Sequence, residues 1–132
     1  MTADREYQNM IDRSERFLKS AEWNLNEGFI DISAFSVNQS LELLIKALLL
    51  RKLGDFPHTH DIKTLLRTLV ETVDSDNSKK ISRFLAEKSL EINVIQDAYI
   101  TSRYFFTSIS MEDLKNLVNV VKEFREEFIN VP

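Results

Sequence analysis

The sequence predicts an all-α protein, an up-and-down four-helix bundle with one additional short helix, formed as a single domain over residues 1–132. Three observations lead to this reading. Only two glycines and two prolines occur in 132 residues, too few turn formers for a sandwich or barrel. Apolar residues recur at helical spacing along most of the chain. The longest apolar run, Leu41 to Leu50, is followed by a helix-stop pattern, Gly54 and then Pro57.

Each helix has its own signature. In the first, Tyr7, Met10, Ile11, Phe17, Leu18 and Ala21 mark one face, and Asn26-Glu27-Gly28 ends it. The second spans Asp31 to Leu53, and its apolar side chains from Ala34 to Leu50 point in nearly every direction. A helix without a polar side belongs in the middle of a bundle. Its apolar run is too short for a bilayer and is interrupted by Glu42 and Lys46, so no membrane association is expected. Asp61 opens the short helix, which carries Ile62, Leu65, Leu66, Leu69 and Val70. Asp74-Ser75-Asp76-Asn77 combines turn and cap residues. A fourth helix follows through Ile81, Phe84, Leu85, Ile92, Ile95, Tyr99 and Ile100, with a bend near Ser89. Ser110 and Asp113 resemble a capping box before the last helix, marked by Leu114, Leu117, Val118, Val121, Phe124 and Phe128.

Composition removes several function classes. Without cysteine there is no disulfide framework, thiol nucleophile or thiolate metal site. No Gly-rich phosphate loop is present. Seventeen basic residues against twenty-one acidic ones give a net charge of −4, and no segment forms a basic tail, so RNA or DNA is not a favoured partner. The stretch Met1 to Met10 is polar and charged rather than signal-like, so a cytoplasmic location is expected.

Three polar groupings stand out. Gln39, Glu42 and Lys46 lie at spacings of three and four, within about 60° on the wheel of the apolar helix. They read either as a Glu–Lys pair on a thin polar strip or as groups facing a cleft, since polar groups in apolar surroundings must be paired. His58 and His60, the only histidines, flank Thr59 just before Asp61. Two histidines two residues apart lack further ligands for a metal, and a His60–Asp61 pair at a helix start accounts for the segment, so no metal is expected. Tyr99, Arg103 and Tyr104 close the fourth helix, a guanidinium flanked by phenols. That set suits a phosphate or a stacked base, and equally an arginine placed for the helix dipole. No set nominates a catalytic residue.

Together these pieces resemble the HEPN family, named for its occurrence in higher eukaryotes and prokaryotes and for nucleotide binding. The stretches that carry the resemblance are Phe17 to Ala21, Asp31 to Phe35, Gln39 to Leu49, Thr59-His60-Asp61-Ile62 with Leu65-Leu66, and Tyr99 to Tyr104. The resemblance implies a helical bundle, usually homodimeric, akin to the substrate-binding helical domain of some nucleotidyltransferases. It also implies a small nucleotidyltransferase as protein partner, in some cases as a toxin–antitoxin pair. The ribonuclease branch carries an arginine, four to six residues, then a histidine. Here Arg103 is followed by Tyr104 to Ser110 with no histidine, and imidazole is the group suited to moving protons at neutral pH. Arg51 and His58 satisfy that spacing, but on a different helix. Tyr104 does not match the modified tyrosine of some toxin members, which sits beyond that histidine.

The resulting expectation is a non-catalytic nucleotide-binding or adaptor subunit. Its nucleotide site comprises Gln39, Glu42, Lys46, His60, Tyr99, Arg103 and Tyr104, with ATP or another nucleotide as ligand and no resident cofactor. The alternatives are a ribonuclease toxin and a purely structural interaction module. A homodimer interface is expected at Phe105, Phe106 and Ile109, apolar residues where a connecting segment should be polar.

Overall fold

The computed structural model describes residues 2–104 and 109–131, with side chains described for 4–100 and 109–131. Six helices make up the secondary structure of these residues: α1 (Thr2–Asn26), α2 (Ile30–Leu53), α3 (Ile62–Thr72), α4 (Ser75–Glu87), α5 (Ser89–Tyr104) and α6 (Met111–Phe128). The protein is all-α, as expected, but the fourth expected helix is two. The chain leaves helical geometry at Lys88 (φ −108°, ψ 23°), one residue before the bend foreseen at Ser89. Hydrogen bonding continues across the break, from Lys88 N–H to the Phe84 carbonyl and from Ile92 N–H to the Lys88 carbonyl, both 2.9 Å. The segment therefore changes direction without leaving its polar groups unpaired.

The α2 helix is the centre of the fold and packs against α1, α3, α5 and α6. Its length and composition would suit a membrane span, yet 72 % of its apolar window is buried inside the protein. Gly54 ends it at φ 78°, donating to the Leu50 carbonyl, a left-handed conformation that costs glycine little. The α1–α2 contact is the most extensive, and small residues explain why. Ser14, Ala21, Ser33 and Ser40 are fully buried between the two helices. Ser14 Oγ donates to the Ser40 carbonyl (2.6 Å), Ser40 Oγ to the Ser14 carbonyl (2.8 Å) and Ser33 Oγ to the Ala21 carbonyl (2.6 Å). Each hydroxyl thus finds a partner on the neighbouring backbone, as buried polar groups must.

One core runs through all six helices, from Ile11 and Leu18 through Leu44, Leu66, Ile81 and Ile95 to Phe128. The caps follow the sequence signals. Asp61 accepts from Lys63 and Thr64 N–H at the start of α3, and Asp74 accepts from Asn77 N–H at the start of α4 (2.9 Å). Hydrogen bonds from the Asn77 backbone and side chain hold the Asp74 carboxyl below the usual carboxylate range. Its contribution is present at neutral pH and is lost as acid protonates it. Ser110 Oγ accepts from Asp113 N–H (3.0 Å) at the start of α6. Ser110→Ala should cost about 1 kcal/mol of stability, read as a lower urea midpoint with an unchanged slope. No change in midpoint would show that the cap is not formed in solution.

Candidate functional site

The site forms where α2 meets the 54–61 connection and α5. Glu42 sits mid-helix with only 3 % of its surface exposed, because α3 and α5 both pack on this stretch of the protein and leave α2 no open side. Two donors meet its carboxylate. Lys46 Nζ, one turn along α2 and 9 % exposed, lies 3.2 Å from Oε2. His60 Nδ1, arriving from the connection, lies 3.1 Å from both carboxylate oxygens. An ionised carboxylate only accepts hydrogen bonds, so Nδ1 is the donor and the ring's Nε2 is left for another partner.

The exposed half of the site is aromatic. His60, whose side chain is 55 % exposed, stacks on Tyr99 with ring centroids 4.4 Å apart and planes 17° apart. Tyr99 in turn lies beside Phe35 of α2, centroids 6.2 Å apart. Phe56 places its ring 5.4 Å from Lys46 Nζ, a cation–π contact on the side of the ammonium away from Glu42. The backbone is held as well: Gln96 of α5 accepts from Ile62 N–H and donates to the His60 carbonyl (3.3 Å). Asn38, fully buried, joins α2 to α5 through the Ile95 carbonyl (2.8 Å) and accepts from Gln39 (3.0 Å). Imidazole, phenol and ammonium therefore keep fixed positions around one buried carboxylate.

The residues expected from sequence divide clearly. Glu42, Lys46, His60 and Tyr99 come together, with Gln39 half-buried one turn before Glu42. Arg103 and Tyr104 end α5, one turn beyond Tyr99, and their side chains lie outside the described ones. Phe105 and Phe106 lie outside the described residues, and Ile109 is half-buried against the core. The expected His60–Asp61 pairing does not form: Asp61 caps α3 while His60 turns back to Glu42. His58 is exposed with Asp55 as its ion-pair partner at 3.7 Å. Arg51 is used elsewhere, donating to Tyr7 Oη (3.0 Å) and to the carbonyls of Ile129 and Val131. Arg51 and His58 thus serve separate contacts. Phe56, Gln96 and Asn38 are participants that sequence reasoning missed. An asparagine inside an all-apolar helix was the one available signal.

Among the described residues, no three histidine, aspartate or glutamate side chains gather at one point as metal ligands would. The family model for the HEPN domain matches residues 7–131, nearly the whole chain, and the chain belongs to that family. No curated protein matches it.

Proposed function

From the premise of a HEPN-domain chain, we propose that this protein is a non-catalytic nucleotide-binding subunit acting with a separate minimal nucleotidyltransferase in the cytoplasm. In this reading α1, α2, α5 and α6 are the main members of an up-and-down bundle, and the nucleotide lies over His60 and Tyr99. The observation that carries it is the Glu42–Lys46–His60–Tyr99 arrangement. A buried carboxylate holds an imidazole against a phenol ring, leaving flat aromatic surface beside fixed donors. Base stacking on such side chains contributes about 1–3 kcal/mol per base. Glu42 neutralises Lys46 at 3.2 Å, so the phosphates rely on His60 Nε2–H when the ring is charged and on Arg103. Gln39 and Tyr104 border the same ligand.

Calorimetric titration with ATP and other nucleotides tests the proposal, with the chain alone and with the transferase. His60→Ala and Tyr99→Ala should each weaken binding about tenfold, in line with the loss of one stacking partner. Absence of heat at millimolar nucleotide in both settings would reduce the protein to an interaction module.

A further inference from the structure

One face of α1 is built to meet a copy of itself. At about 100° per residue, Arg16, Ser20, Trp23 and Glu27 fall within about 60° of one another on its solvent side. Glu27 keeps the helical register, its N–H bonding the Trp23 carbonyl at 3.1 Å. Trp23, the only tryptophan, is 60 % exposed and packs on Phe29, itself 46 % exposed, with Ile32 one turn further at 51 %. Large apolar side chains grouped on a surface mark an interface. Beside them, Arg13, Arg16, Phe17 and Ser20 line a groove of about 320 Å³. Neither Arg16 nor Glu27 has an ion-pair partner among the described residues. Asp12, one turn from Arg16, is engaged by Gln8 instead (3.0 Å).

We infer that a second copy of this chain docks here, α1 against α1 antiparallel, with the two-fold axis level with Ala21 and Glu22. In that register each Ser20 faces the partner's Trp23, and each Arg16 faces the partner's Glu27. The indole enters the groove walled by Phe17 and the arginines, where ring and guanidinium attract each other. The small Ser20 at its floor leaves room for it. Because the interface is isologous, every contact occurs twice. A nucleic acid fits the face poorly, since Asp12, Glu15, Glu22 and Glu27 on the same helix repel phosphates. This surface is separate from the nucleotide site and from the 105–109 segment.

Sedimentation equilibrium of the full chain at tens of micromolar decides it. The wild type should sediment at about twice 15.4 kDa, and the emission of Trp23 should shift to shorter wavelength as dimer forms. Trp23→Ser should give monomer. Arg16→Glu and Glu27→Arg should each weaken the dimer tenfold or more, and the two together should restore it, which a merely structural role would not produce. Phe105→Asp with Phe106→Asp should leave the dimer intact. The proposal is overturned by a wild-type monomer, by a dimer indifferent to Trp23→Ser, or by a charge swap that fails to rescue. Circular dichroism of each variant confirms that its helices are retained.

Discussion

Glu42→Ala should destabilise the protein by about 3–5 kcal/mol, the usual cost of removing one partner of a buried ion pair. The loss comes less from the missing attraction than from what remains. Lys46, 9 % exposed, would keep its charge among apolar neighbours with only the Phe56 ring beside it, and His60 Nδ1 would lose its acceptor. Replacing Glu42 and Lys46 together by leucine and methionine should recover most of that stability, because no charge is then left buried. Urea unfolding of the two single variants and the double variant forms the cycle. A Glu42→Ala cost below about 1 kcal/mol, the range of a surface pair, would mean that the pair is solvated in solution. The recovered double variant separates two roles of this cluster: it should fold well and still fail to hold His60 for a nucleotide.

Phe124→Ala should cost a similar 3–5 kcal/mol, for a different reason. Phe124 is fully buried in a three-ring cluster with Phe84 of α4 and Phe128 of α6. The rings meet at angles, Phe84–Phe124 at 5.6 Å and 69°, Phe84–Phe128 at 5.8 Å and 88°, so edges face ring surfaces as the aromatic quadrupole favours. The α4 helix has only Ile81 and Phe84 buried, so it is held to the core by little else. Removing one ring leaves a cavity that two neighbouring rings cannot fill without losing their own contacts. The melting temperature should fall by roughly 10–20 °C, while Phe124→Leu should fall by less. An unchanged melting temperature would place the α4–α6 contact outside the solution structure.

How much of this was legible beforehand depended on the range of each interaction. The all-round apolar character of residues 34–50, with Gly54 and Pro57 after it, marked α2 as the central helix. The Asp61, Asp74 and Ser110 caps were readable for the same reason: cap and helix lie within a few residues. The break at Lys88 was less legible. Neither Lys88 nor Ser89 is a strong helix breaker, and the apolar rows of α4 and α5 continue past it, so the stretch reads as one bent helix. Arg51 and His58 show the opposite error, a sequence spacing that matches a motif while the two side chains take unrelated partners.

Within one helix, the turn geometry decides which side chains are neighbours, and the sequence alone therefore determined that Glu42 and Lys46 would meet and that Arg16, Ser20 and Trp23 would share a face. Which groups from different segments meet depends on the path of the connections and on how the apolar faces pack, and no local spacing records that. His60 lies 18 residues from Glu42 and Gln96 lies 36 from His60. Only the turn at Gly54 and the seating of α3 and α5 against α2 bring them together. The same packing turned Glu42 from one member of a polar strip into a buried carboxylate. Once water is excluded, such a group must be paired, and the tertiary structure supplied its second partner from a loop.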